Sequence, residues 1–206
     1  DDHLCMRVLV PAARVDEGWE RLSRIDDTLT GLLDFAFDDQ LGFLTCDLRL
    51  VGTGLKAMLM LHLPALKEAG MLDQMSEQAQ RQRFALTGVR PGAGMEQGGR
   101  ARGERLSRRA KADLEALDES LCGGAAGSLH KAAGDLFALA NTGTLGMSEA
   151  EIVFHLRHLA EDLLQQENEA RETLTRVTPL GVQDRVGRAR GIAGGAYLLD
   201  FAEALG

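Results

Sequence analysis

A glycine turn followed by a lysine is the segment of this chain best suited to phosphate. Gly52, Thr53 and Gly54 precede Lys56, and such turns can hold phosphate oxygens through backbone N–H groups and a nearby positive charge. The segment is not a Walker motif, because the four-residue spacer before Gly-Lys is missing. An ordinary loop turn is the alternative, and the spacing alone favours it.

Histidine and cysteine spacing predicts no metal site and no catalytic pair. His155 and His158 lie three residues apart on a predicted helix with no third ligand nearby, so a solvated helix face is the better interpretation. The cysteines are odd in number and form no Cys-x-x-Cys pair, which favours a reducing compartment and therefore a cytoplasmic location. They are Cys5, Cys46 and Cys122.

Charge and hydropathy argue against nucleic acid and membranes as partners. The 206 residues include 23 basic and 31 acidic side chains, a net charge of -8, so any anion site must be local. The longest apolar run, residues 57–66, is half as long as a membrane span. The acidic start does not resemble a signal peptide. The length fits one domain, or at most two small ones, and the start of the chain indicates a piece of a longer protein.

A charged insertion bracketed by glycines is predicted at about residues 91–127. Residues 100–111 contain six basic side chains and one acidic one, and acidic residues follow them. This order opposes the helix macrodipole, so we expect a mobile insertion. A solvated flap is the favoured interpretation, and a patch for an anionic partner is the alternative.

Periodicity predicts an α+β fold, because strands and helices do not alternate strictly. Ser148 and Glu151 have the spacing of a capping box at the start of a long helix. The other expected helices are at about residues 15–37, 64–83 and 180–205. The expected strands are at residues 3–10, 57–63, 84–89 and 135–140, with the second of them buried on both faces.

Several segments, in order along the chain, resemble the ATP:guanido phosphotransferases, and within that family the bacterial protein-arginine kinases. The resemblance spans nearly the whole chain, with similar spacing between the segments. They are DHL at 2–4, LGFLT at 41–45, VGTGL at 51–55, MLHLPAL at 60–66, NTGTLGMSE at 141–149, DRV at 184–186 and GI at 191–192.

The resemblance implies that residues 1–206 are a single domain, the family's C-terminal catalytic domain truncated at both ends. It implies an antiparallel β-sheet flanked by long α-helices, as in the guanido kinase and glutamine synthetase type. It implies ATP as phosphoryl donor, Mg²⁺ held by the nucleotide phosphates, and a guanidinium, expected on a protein, as acceptor. In such a reaction arginines hold the phosphates, while carboxylates orient and deprotonate the guanidinium. A homodimer is open as an alternative to a monomer.

The resemblance assigns phosphate contacts to Arg90 and Lys56, together with the glycine turn at residues 52–54. Lys56 stands where the family has arginine. A further nucleotide-binding arginine of the family falls on Cys5, which carries no charge, and Arg7 on the same predicted strand face is a partial substitute.

Three positions concern the guanidinium side. Asp1 and Glu96 are the expected carboxylates, although Asp1 replaces a glutamate and Glu96 lies one step from the family position, which is Met95. The reactive cysteine of the family falls on Asp47, with Cys46 one residue away. In an extended chain that offset points Cys46 to the opposite side.

The substitutions therefore leave three hypotheses. The first is a divergent protein-arginine kinase domain with impaired catalysis, because three polar groups of the site are replaced together. The second is a pseudokinase that acts as a regulatory or protein-binding module. The third is an unrelated α+β scaffold with a chance similarity.

Overall fold

The computed structural model describes residues 4–89, 129, 132–178 and scattered helical positions between 181 and 190. Short 3-10 turns lie at Ala12–Arg14, Leu48–Leu50 and Ala133–Asp135. The predicted insertion at 91–127 and most of the predicted last helix lie outside the described residues. The helices are α1 (Val15–Thr30), α2 (Pro64–Glu68), α3 (Leu72–Arg81) and α4 (Glu149–Val177), and the strands are β1 (Phe37–Asp38), β2 (Gly42–Phe43), β3 (Met58–His62), β4 (Phe84–Gly88) and β5 (Leu136–Asn141).

Both small sheets are antiparallel, and the predicted α+β class is confirmed. β1 pairs with β2, and a second sheet has the order β3-β5-β4. In that sheet, Leu63 N donates to Asp135 O while Asn141 N lies 3.4 Å from Ala57 O, so residue numbers rise along β3 as they fall along β5. The same inversion relates β5 to β4, through Val89 N to Leu136 O and Thr142 N to Arg83 O.

The chain divides into two compact units. The first contains the described residues within Asp1–Met60, Glu77–Ala85 and Leu139–Leu163, and the second those within Leu61–Ser76, Leu86–Ala138 and Leu164–Gly206. In the first unit, the capping box at the start of α4 is formed as predicted, with Ser148 N donating to Glu151 Oε2 at 2.7 Å. The apolar stripe of α4 is buried there, as are two strand residues; these are Phe84, Leu139, Ile152, Leu156, Leu159 and Leu163.

The second unit is organised around a buried carboxylate on α4. Glu167 is only 2% exposed, and its oxygens accept the backbone N–H groups of Ala65 at 3.0 Å and Leu66 at 2.9 Å. These are first-turn groups of α2, which have no partner within the helix itself. Arg171, one turn further along α4, donates to the same carboxylate at 2.9 Å. Glu167 therefore satisfies the start of α2 and is itself charge-paired.

Two predicted elements are wrong. Residues 4–10 are neither strand nor helix, because a strand needs a neighbour to take its backbone hydrogen bonds and none among the described strands pairs with this segment. The first helix ends at Thr30 rather than near residue 37. Phe37 instead pairs with Phe43 in the β1–β2 hairpin.

Two further predictions need correction in detail. The helix expected over residues 64–83 is broken into α2 and α3 at Gly70, whose φ of +68° is left-handed. β3 is not buried on both faces: Leu59 and Leu61 are buried, whereas the alternate residues of the strand are exposed. Among the described residues, no helix combines the length and apolar character that crossing a bilayer requires.

We predict that Glu167→Ala destabilises the protein by roughly 2–4 kcal/mol, because it leaves buried N–H groups of α2 without an acceptor. Glu172→Ala, on the exposed surface of the same helix, is the matched control and should change the free energy of unfolding by less than about 0.5 kcal/mol. Urea denaturation of both variants measures the difference. Equal effects of the two substitutions would contradict the capping role of Glu167.

Candidate functional site

The segment around the glycine turn begins at the β1–β2 hairpin. Asp38 Oδ1 accepts the N–H groups of Gln40 and Leu41, both at 2.9 Å, and so closes the hairpin turn. On its other side, β2 bonds to the glycine turn: Phe43 N donates to Gly52 O at 2.8 Å, and Gly52 N donates to Phe43 O at 3.1 Å. Phe43 thus lies between the first strand and the turn.

Two glycines permit three chain segments to approach backbone to backbone. A Cβ atom at Gly42, where φ is +79°, would lie 2.5 Å from Gly52 O, which is closer than real Cβ contacts. At Gly52, where φ is +119°, a Cβ would lie 3.2 Å from the backbone of Leu145. Space and backbone conformation both require glycine at position 42, whereas at position 52 the left-handed backbone favours glycine and the space for a Cβ atom is tight.

Side chains at the end of β5 hold the segment in place. Asn141 accepts from Ala57 N at 2.8 Å and donates to Leu55 O at 3.0 Å. The Thr144 hydroxyl donates to Val51 O at 2.8 Å, and Thr144 N donates to Arg49 O at 3.1 Å. Asn141 and Thr144 are both buried, so these bonds fix residues 49–57 against the loop after β5.

The backbone N–H groups of the glycine turn are largely committed within the protein. Gly52 N bonds to Phe43 O, Gly54 N to Leu50 O at 2.9 Å, and Leu55 N to the Thr53 hydroxyl at 3.1 Å. A backbone cradle for phosphate needs such groups to point at the ligand. The turn therefore supports the structural alternative for its glycines, and any phosphate contact here falls to side chains.

A carboxylate–guanidinium pair lies just before this turn. Arg49 Nε is 2.9 Å from Asp47 Oδ1, and Arg49 Nη2 is 2.7 Å from Asp47 Oδ2. Asp47 Oδ1 also accepts Arg49 N at 3.0 Å and caps the 3-10 turn Leu48–Leu50. The side-chain hydrogen bond from Arg49 is the main cause that lowers the pKa of Asp47, with the charge of Lys56 contributing least. The carboxyl of Asp47 is thus held in its ionised form, chiefly by Arg49.

A family model described as "ATP:guanido phosphotransferase, C-terminal catalytic domain" matches residues 1–101. The protein-arginine kinase of Moorella thermoacetica is 37% identical over 207 residues, covering 100% of this chain and 48% of the relative. The protein-arginine kinase of Symbiobacterium thermophilum is 33% identical over 205 residues, covering 100% of this chain and 48% of the relative. That of Caldanaerobacter subterraneus is 29% identical over 203 residues, covering 98% of this chain and 50% of the relative.

The chain belongs to the ATP:guanido phosphotransferase family. It resembles the C-terminal catalytic domain of that family, and it spans about half the length of the protein-arginine kinases that it matches. An unrelated scaffold with a chance similarity is therefore excluded.

The site residues implied by the guanido phosphotransferase resemblance fall into two groups. Lys56 is half-buried after the glycine turn, Cys46 is exposed beside Asp47, and Arg7 is exposed on the extended segment 4–10. Gly52, Thr53 and Gly54 form the turn itself. Asp1, Arg90 and Glu96 lie outside the described residues. The six residues that the structure does describe stay site predictions.

Some features of the segment were not foreseen from sequence. The Asp47–Arg49 pair has the Asp-x-Arg spacing of a capped turn, which could have been noticed. The roles of Asn141 and Thr144 had no local signal in the sequence.

The two histidines of α4 flank an aromatic ring. The His158 ring stacks on that of Phe154, with 6.0 Å between ring centres, and the His155 ring meets it edge-on at 5.6 Å. The described residues hold no group of three or more His, Cys, Asp or Glu able to bind a metal.

We predict that Gly42→Ala destabilises the protein far more than Gly146→Ala. Gly146 has the same φ of +79° but nothing within 4 Å of its Cβ position, so its substitution measures backbone strain alone, roughly 1–2 kcal/mol. Gly42→Ala adds a collision with Gly52 O and forces β2 away from the turn. Chemical denaturation measures both variants. Equal losses would mean that β2 and the turn do not pack as closely as described.

We predict that Arg49→Ala raises the pKa of Asp47 toward its ordinary value, and that Lys56→Ala raises it less. Because the pKa is lowered in the folded state, the pair stabilises the fold above the ordinary carboxyl pKa, and this stability is lost as pH falls through the folded value. Carbon-13 NMR titration of the Asp47 carboxyl measures each change. Arg21→Ala, in α1, is the control. An unchanged Asp47 pKa in Arg49→Ala would refute the assignment.

Proposed function

We propose that this chain is the catalytic-type domain of an ATP:guanido phosphotransferase of the protein-arginine-kinase type, with phosphoryl transfer weakened relative to its relatives. The reaction would move the γ-phosphoryl of ATP to a guanidinium nitrogen of a protein arginine. The similarity to protein-arginine kinases supports the type of activity, and the Asp47–Arg49 pair is the observation that carries the proposed weakening. Asp47 stands where the resemblance places the family's reactive cysteine, so an ion pair replaces a reactive thiol.

The described residues fit a nucleotide through side chains rather than through a backbone cradle. The N–H groups of Gly52, Gly54 and Leu55 are already bonded within the protein. Lys56 is the cation nearest to the glycine turn in sequence. Lys56 would act as a point charge on the phosphates, whereas arginine would bind two oxygens at once. Arg7 and Arg90 would complete the set. Mg²⁺, carried by the phosphates, would offset their charge.

Weakened transfer follows from how such enzymes accelerate this reaction. Phosphoryl transfer depends on positioning and on charge placed where it develops, so each lost clamp slows it by orders of magnitude when no neighbour compensates. Here Cys5 offers no charge and Met95 no carboxylate at positions where the resemblance implies both. Asp1 and Glu96 are left to orient the guanidinium, with Cys46 beside the turn as the remaining thiol.

A pseudokinase is the second candidate, and the same ion pair favours it. If Asp47 and Arg49 only stabilise a turn, the domain keeps the family's fold without the side chains that phosphoryl transfer requires. The domain would then bind a protein partner, or nucleotide weakly, as a regulatory module. Under either proposal we expect a cytoplasmic protein, with the homodimer as the alternative to a monomer.

Phosphorylation with labelled Mg-ATP and an arginine-rich protein tests the enzyme proposal. We expect slow formation of acid-labile phosphate on arginine. Lys56→Ala should reduce it at least tenfold because a phosphate contact is lost, and Lys56→Arg should raise it because a guanidinium binds phosphate oxygens in pairs. Mass spectrometry under non-acidic conditions identifies the modified residue.

Arg81→Ala is the matched control, since Arg81 is an exposed cation at the end of α3. Its labelling should equal that of the unmodified protein. Absence of label in every variant, together with measurable ATP binding, would reject the enzyme and support the pseudokinase. Label that resists acid, on serine or threonine, would reject both.

A further inference from the structure

The Asp47–Arg49 contact has the geometry with which a carboxylate recognises any guanidinium. Nε faces Oδ1 at 2.9 Å and Nη2 faces Oδ2 at 2.7 Å, so two parallel hydrogen bonds join the two planar groups. A guanidinium presents the same donors whether it belongs to Arg49 or to another molecule. The structure therefore contains a carboxylate that is already binding the functional group proposed as the substrate.

The carboxylate is positioned independently of the guanidinium that it holds. Asp47 Oδ1 accepts the backbone N–H of Arg49, which remains whatever side chain occupies position 49. Leu50 N and the Thr45 hydroxyl each donate to Asp47 O at 2.8 Å and hold the backbone on both sides. Replacing the guanidinium would not require the turn to refold.

The two partners differ in how readily they can leave. The Arg49 side chain is 55% exposed and the Asp47 side chain 34%. The guanidinium is carried on a long flexible stem, whereas the short carboxylate is fixed by the turn. Exposed ion pairs are weak, since water and salt screen them. The contact with Asp47 is therefore only a weak barrier to exchange of the Arg49 guanidinium with water or with another guanidinium.

We propose that the Asp47 carboxylate is a guanidinium-binding subsite, which Arg49 occupies as an internal competitor of the arginine substrate. The existence of the subsite is inferred from the ion pair alone. Its role in arginine phosphorylation rests on the proposed function. An internal competitor acts at the high effective concentration of a tethered group. Free arginine would compete poorly with it, and an arginine delivered on a docked protein would compete better.

Binding of Nα-acetyl-arginine methylamide, followed by NMR of the Asp47 carboxyl and the Arg49 Nε–H group, tests the subsite without any catalysis. We expect weak binding to the unmodified protein and about two- to fivefold tighter binding to Arg49→Ala, because the competitor is gone. Arg49→Lys should lie between them, since lysine keeps the charge but not the paired hydrogen bonds. The affinity for Nα-acetyl-lysine methylamide should increase less in Arg49→Ala than the affinity for the arginine probe.

Asp47→Asn is the decisive variant, because asparagine can still cap the turn while removing the charge. It should abolish probe binding, also in combination with Arg49→Ala. Asp38→Asn, the same change at the hairpin turn, controls for capping and should leave binding unaltered. Equal affinity of the unmodified protein and Arg49→Ala, or undiminished binding by Asp47→Asn, would overturn the subsite.

This outcome is separable from that of the proposed function. Tighter probe binding by Arg49→Ala supports the subsite even if no phosphoarginine ever forms, in which case the domain recognises arginine without modifying it. Phosphoarginine formation with no effect of either Asp47 or Arg49 substitutions on probe binding would overturn the subsite and leave the enzyme proposal intact.

Discussion

The close backbone approach of Gly42, Gly52 and Leu145 is the constraint on which the candidate site depends. No side chain separates β2, the glycine turn and the loop after β5, so each is placed by the backbone of the next. The ion pair before the turn and the lysine after it belong to a segment held at both ends, by the Phe43–Gly52 bonds and by Asn141.

This constraint gives the glycines of the turn a packing role rather than a phosphate-binding role. A glycine turn beside a lysine suggests phosphate when only the sequence is known, yet the N–H groups of Gly52 and Gly54 bond inside the protein. Their conformational freedom is used for packing. The charges of this segment are therefore carried by side chains, and each of these side chains can be substituted without altering the backbone. Under the proposed site assignment, Asp47 and Lys56 replace other side chains of the family while this backbone arrangement stays the same.

Local sequence signals predicted the long helix α4 and the strands β3, β4 and β5, whereas contacts between distant parts of the chain could not be predicted. The capping box of Ser148 and the apolar stripe behind it act within a few residues. Asn141, by contrast, bonds to residues 84 and 86 positions earlier in the chain. Residues 4–10 have strand-like composition, but composition cannot supply a neighbouring strand. Residue types and spacing singled out Lys56 and the glycine turn, and the family resemblance added their expected role, whereas the contacts of Gly52 and Asn141 required coordinates.

The charges of Asp47, Arg49 and Lys56 connect the two halves of the proposed reaction. While Arg49 is bound to Asp47, the carboxylate neutralises one cation and also lowers the positive potential near Lys56, as the lowered pKa of Asp47 reflects. Exchange of Arg49 for a substrate guanidinium leaves Asp47 paired and releases one extra positive charge beside the turn. Added positive charge strengthens phosphate binding. Under the subsite proposal, binding of an arginine substrate and binding of nucleotide would therefore favour each other, as reciprocal coupling requires.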